Sequence, residues 1–117
     1  RGAAFGDIDN DGDSDLYVTY WGRDQLWRND SSAGNVRFTE ITSAAGIQND
    51  DWGTSAAFAD IDADGWLDLY VGNYVDYSAD AEQQCPSVTG GLGYCLPQAY
   101  RAQYSSTTLS MVAWMII

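Results

Sequence analysis

Residues 2–18 read GAAFGDIDNDGDSDLYV, and residues 55–71 read SAAFADIDADGWLDLYV. Twelve of these 17 positions are identical at an offset of 53, without a gap. Chance does not produce such a match, so one structural unit has been duplicated. Tandem units of this length stack neighbour on neighbour, because one unit alone cannot bury its apolar surface. Each copy follows the same order: a short apolar run, an Asp-rich loop with a Gly, then a run of β-branched and aromatic residues.

Those runs alternate with a period of two, as strands do. In the first copy the strand-like run spans Leu16 to Trp21, with Leu16, Val18 and Tyr20 on one face and Tyr17 and Thr19 on the other. In the second it spans Leu69 to Val75. Two further strands are expected between the copies, over residues 25–28 and 37–42, the latter anchored by Phe38 and Ile41. Residues 29–34 form a polar turn between them, and residues 42–46 have room for one helical turn. No segment carries a helical period with caps. The expectation is an all-β chain of about two four-stranded antiparallel blades of a β-propeller, incomplete because closed rings take roughly four to eight blades. Residues 1–53 make the first unit, 54–104 the second, and 105–117 an atypical tail that fits neither. Arg1 opens the chain without a charged leader, and the apolar run Met111 to Ile117 is far short of the ~20 residues of a membrane helix. Both ends therefore read as cut, and the remaining blades of a parent protein are expected partners.

The net charge is −12, from 17 acids against five Arg, with no Lys and no His. This balance argues against nucleic-acid binding and against docking on anionic membranes. Nine of the acids lie in two clusters. The first is Asp7, Asp9, Asp11, Asp13 and Asp15; the second is Asp60, Asp62, Asp64 and Asp68. Both follow D-x-D-x-D-G-x-x-D. Carboxylates at alternate positions converge on one point when the chain curls, and the Gly permits the curl. Position 7 of the pattern, Asp13 or Trp66, would offer its backbone carbonyl, which leaves its side chain free to differ. Converging carboxylates repel unless a cation sits among them, and an all-oxygen set suits Ca²⁺ better than Mg²⁺, which prefers to keep its waters. Two Ca²⁺ sites are expected. Solvated acidic turns are the bland alternative. An EF-hand is disfavoured, because position 12 is Val18 or Val71 rather than Glu and the flanks read as strands.

The segments Phe5 to Leu16 and Phe58 to Leu69 resemble the FG-GAP or VCBS-type repeat, the calcium-bearing blade of the integrin α-subunit propeller. Ala59 stands where the name motif has Gly. Residues 25–29 and 38–47 look like the second half of such a blade, and are similar to secreted proteins of the cartilage acidic protein group and its bacterial relatives. Gly93-Tyr94-Cys95-Leu96-Pro97 is consistent with that group's Cys-bearing insertion. The resemblance implies a propeller, calcium, and a place outside the cytoplasm: secreted or on the cell surface, periplasmic or on the outer surface in a bacterium. A disulfide between Cys85 and Cys95 would stabilise by roughly 2.5–3 kcal/mol on the chain-entropy model. Their spacing alone leaves two free thiols open, but an oxidising compartment favours the bond.

Without His, serine and cysteine triads are excluded, and Glu40 and Glu82 show no partner for carboxylate-pair chemistry. The chain is therefore expected not to be an enzyme. It reads as an extracellular adhesion or protein-interaction module with structural calcium. The alternative is a carbohydrate-binding propeller, in which Trp21, Trp27, Trp52, Tyr74 and Tyr77 near the loops stack on sugars; the bland and favoured reading of these rings is packing between blades. Asn29-Asp30-Ser31 is a glycosylation sequon.

Overall fold

The computed structural model describes residues 1–78, 80 and 83–101. The expected tail, 105–117, lies outside them. Eight strands follow in order: β1 (Ala3–Gly6), β2 (Asp15–Val18), β3 (Gln25–Asn29), β4 (Phe38–Glu40), β5 (Gly53–Ala59), β6 (Asp68–Asn73), β7 (Gln84–Pro86) and β8 (Leu92–Tyr94). No α-helix occurs among the described residues; Pro97–Ala99 form a single 3₁₀ turn. The chain is all-β and antiparallel, an incomplete propeller-like fragment.

The first repeat makes a four-stranded meander in the order β1-β2-β3-β4. The second contributes the two-stranded sheet β5-β6, while β7-β8 form a separate hairpin. Two full blades are thus not both present among the described residues. The stretch after β6 carries that hairpin instead, closed by a Cys85–Cys95 disulfide with Cα atoms 5.0 Å apart. That finding decides between the bond and two free thiols.

The expected alternation holds in β2, and burial tells the two faces apart. Asp15, Tyr17 and Thr19 are fully buried, whereas Leu16 and Val18 are half-buried. The strand is shorter than expected and ends at Val18, because the chain then turns through Gly22 to reach β3. The run over 37–42 narrows to Phe38–Glu40. Ile41 still donates its N–H to the Leu26 carbonyl at 2.9 Å and enters the core, while Phe38 stays exposed. A turn over 42–46 then forms as expected, with Ala45 N–H on the Ile41 carbonyl at 2.7 Å.

The core lies between the repeats. Ile8, Tyr17, Leu26, Ile41, Ala45 and Ile47 from the first unit meet Leu69 from the second, with Ala56, Phe58 and Val71 packed alongside. The 53-residue offset makes the geometry plain. Ile8 is 2% exposed and Tyr17 0%, but their counterparts Ile61 and Tyr70 are 60% and 46% exposed. The second repeat covers the first, and nothing among the described residues covers the second in the same way. Burial of one such face is worth several kcal/mol at about 25 cal/mol per Å² of apolar area, which is why a lone repeat is a poor folding unit.

Candidate metal centres

The two Asp-rich loops join β1 to β2 and β5 to β6. Their backbones share the two left-handed positions of the pattern. Position 4 of the loop is left-handed in both, with φ 58° at Asn10 and 60° at Ala63. The Gly at position 6 is also left-handed, φ 94° at Gly12 and 92° at Gly65. Nothing lies within 4 Å of a Cβ built on either glycine, so the requirement is conformational rather than spatial.

Local hydrogen bonds hold these shapes. Asp7 accepts the N–H of Asp11 at 3.1 Å on Oδ1 and that of Gly12 at 3.0 Å on Oδ2. Asp60 does the same for Asp64 at 3.1 Å and Gly65 at 2.9 Å. Asp11 and Asp64 each accept the N–H two residues on, from Asp13 and Trp66, both at 2.9 Å. The last Asp ties the loop to the sheet: Asp15 Oδ2 accepts from Ile8 N–H at 2.8 Å, and Asp68 Oδ2 from Ile61 N–H at 2.9 Å. Asp15 Oδ1 also accepts the N–H of Asn29 in β3 at 2.7 Å. The sequon side chain of Asn29 is held too, with Nδ2 on the Ser14 carbonyl at 3.2 Å.

Each loop gathers three carboxylates. One oxygen each of Asp7, Asp9 and Asp15 lie within 4.8 Å of one another, and so do those of Asp60, Asp62 and Asp68. The structure therefore brings together positions 1, 3 and 9 of the pattern. Asp11 and Asp64 lie outside these groups, with one oxygen spent on a loop N–H; the side chains of Asp13 and Trp66 lie outside them as well.

The first group is electrostatically uneasy. Burial raises the Asp9 carboxyl above its ordinary value, and the neighbouring charges of Asp15 and Asp11 push it further. Burial also raises Asp15, against the pull of the Asn29 and Ile8 N–H groups. Asp9 Oδ1 is the one buried side-chain oxygen or nitrogen among the described residues that lacks a hydrogen-bond partner. A buried, unpaired anionic oxygen costs free energy unless something positive meets it. An all-oxygen donor set facing that atom fits a hard cation. The second group is more open, with Asp60 and Asp62 exposed where Asp7 and Asp9 are half-buried.

One feature stands outside the sequence expectations. Asp24 is fully buried and accepts from Tyr17 Oη at 2.7 Å, Tyr20 N–H at 2.7 Å and Asn49 Nδ2 at 2.6 Å. Burial and this carboxylate drive the Tyr17 phenol far above its usual range. Asn49 continues to Asn73 at 3.1 Å, so a polar chain links the repeats. At the 53-residue offset the counterpart of Asp24 is Tyr77, so the repeat carries no signal for this network. Of the aromatic rings expected near the loops, four form a cluster at the repeat junction. Trp21 and Trp52 rings lie 6.1 Å apart, Trp52 and Tyr74 5.5 Å, and Trp21 and Tyr77 5.4 Å. With Tyr94 and Tyr100 they line a cavity of about 290 Å³. Trp27 is not among its lining residues; it pairs with Leu16 and Glu40 within the first sheet.

Residues 7–71, spanning both loops, match the family model described as FG-GAP-like repeat. No curated protein and no solved structure matches the chain.

Proposed function

The chain belongs to the FG-GAP-like repeat family, and from that premise we propose that it is a calcium-binding part of an extracellular β-propeller that serves adhesion or protein–protein interaction. The observation that carries the reading is the unpaired Asp9 Oδ1, buried beside two further carboxylates in a loop shape that occurs twice. Asp7, Asp9 and Asp15 would hold one Ca²⁺, and Asp60, Asp62 and Asp68 the other. Asp11 and Asp64, and the backbone carbonyls of Asp13 and Trp66, complete the sets on the sequence pattern. The ion supplies the positive charge that lets these carboxylates stay ionised at close range. The chain's own residues do the rest: Asp15 and Asp68 anchor each loop to a strand, and the left-handed glycines keep it curled.

A non-catalytic role and an extracellular place belong to the same proposal. Support for the place comes from the disulfide, which persists in oxidising compartments. Kinship to the VCBS type and to the cartilage acidic protein group is the finer form of the reading; its support is the Cys-bearing insertion after β6.

Calcium titration by calorimetry tests the proposal. Wild type is expected to take two equivalents and Asp9→Asn one. Without metal, Asp9→Asn should melt a few degrees higher than wild type, because it removes an unpaired buried charge. Fewer than two equivalents for folded wild-type chain, or a lower melting point for the metal-free variant, would refute it.

A second reading, of the partner, is favoured by the aromatic cavity. Four of the five rings proposed for sugar stacking, Trp21, Trp52, Tyr74 and Tyr77, line it together. A glycan is then the ligand, held on ring faces. On a glycan array, Trp52→Ala should abolish the signal while leaving calcium stoichiometry intact. An array without wild-type signal would leave a protein ligand as the reading.

A further inference from the structure

The two loops touch, and they do so through a residue that only one of them has. Asn10 Nδ2, at position 4 of the first loop, donates to the Gly65 carbonyl of the second at 3.2 Å. Gly65 and Trp66 share one peptide unit, and the N–H of that unit is already held by Asp64 Oδ1 at 2.9 Å. Asn10 thus grips the carbonyl end of a plane whose amide end is fixed by a loop carboxylate. The plane leads directly into Trp66, whose carbonyl is the position-7 donor of the pattern.

We propose that Asn10 is a positioning residue for the second metal loop, so that this site's affinity depends on a side chain of the preceding repeat. The inference rests on reading both loops as calcium sites. Three observations support it. The flanks of the loops are in contact: a Cβ on Gly6, next to Asp7, would meet Phe58 Cδ2 at 2.8 Å and Leu67 Cδ1 at 3.0 Å. Ile8 of the first loop shares the core with Leu69, which follows Asp68. The second loop, with Asp60 and Asp62 exposed, has less burial of its own to hold its shape. Support runs one way along the repeat, because Ala63, the counterpart of Asn10, has no donor to pass on. Ala63 also shows that alanine adopts this backbone, φ 60° against 58° at Asn10, so Asn10→Ala removes the donor and keeps the loop.

The test reads each site alone. In an Asp9→Asn background, which leaves the second site, adding Asn10→Ala should weaken calcium binding about two- to tenfold, the worth of one exposed hydrogen bond. In an Asp62→Asn background, which leaves the first site, Asn10→Ala should change affinity less than twofold. Amide exchange of Trp66 in the metal-free chain reads the same contact without the ion and should quicken in Asn10→Ala. Unchanged second-site affinity in a chain that binds calcium normally overturns this inference alone. A wild-type chain that binds no calcium overturns it together with the reading of the loops.

Discussion

Chelating calcium should lower the melting temperature of this chain by more than about 10 °C. A ligand that binds only the folded state stabilises it by RT ln(1 + [L]/Kd), which is about 2.7 kcal/mol at a concentration one hundred times Kd. Two sites with Kd near 10 μM, in 1 mM calcium, together contribute about 5 kcal/mol on that relation. Total stabilities of domains are only about 5–15 kcal/mol, so this is a large share. Each kcal/mol moves the midpoint of a domain of this size by several degrees. The electrostatics act in the same direction: removing the ion leaves Asp7, Asp9 and Asp15 facing one another, with Asp9 Oδ1 unpaired. Differential scanning calorimetry with and without EDTA measures the shift. A change of a degree or less would mean that the loops hold themselves and that calcium has no structural role.

The second large effect falls on a residue outside the loops. Asp24→Ala should cost about 3 kcal/mol, by the same amount with and without calcium, because it strands the buried Tyr17 hydroxyl and the part-buried Tyr20 N–H at about 1–3 kcal/mol each. Three donors meet that carboxylate: the buried Tyr17 hydroxyl, the part-buried Tyr20 N–H and the part-buried Asn49 amide, which also donates to Asn73. Urea denaturation gives the number, and Asp24→Asn, which keeps one acceptor, supplies a milder step if Asp24→Ala does not fold. Tyr17→Phe separates this account from simple loss of packing. In the Asp24→Ala background it removes a stranded hydroxyl, so the double variant should be less destabilised than the sum of the two. Strict additivity, or a cost below 1 kcal/mol for Asp24→Ala, would show that the network is not holding the repeats together.

The loops were legible before any coordinates, because what shapes them is local. A left-handed glycine, a carboxylate that reaches N–H groups four and five residues on, and a final Asp that returns to position 2 all act within nine residues. Repeating the pattern at an offset of 53 made the reading secure for both copies. Asp11 and Asp64 alternate like the other acids, and each turns an oxygen to the N–H two residues on; that they lie outside the converging three is not visible in their spacing. β2 and β4 end a few residues from where the pattern puts them, since strand-like runs such as Val18 to Trp21 continue past the point where pairing stops.

The amino-acid order by itself determined the repeat, the alternation of faces in β2, the two oxygen-rich loops and the all-β class. Each depends on residues close enough along the chain to constrain one another directly. Only the tertiary structure decided that the Tyr17 face is the one covered while the matching Tyr70 face is open, that Asp24 is buried, that Asn10 reaches Gly65, and that Trp21, Trp52, Tyr74 and Tyr77 share one cavity. These follow from contacts across roughly 25 to 60 residues, between surfaces with no periodic trace in either partner alone. Two repeats with closely matching loops therefore end in different surroundings: stacking is directional, and each unit offers one face to the repeat before it and another to the repeat after it.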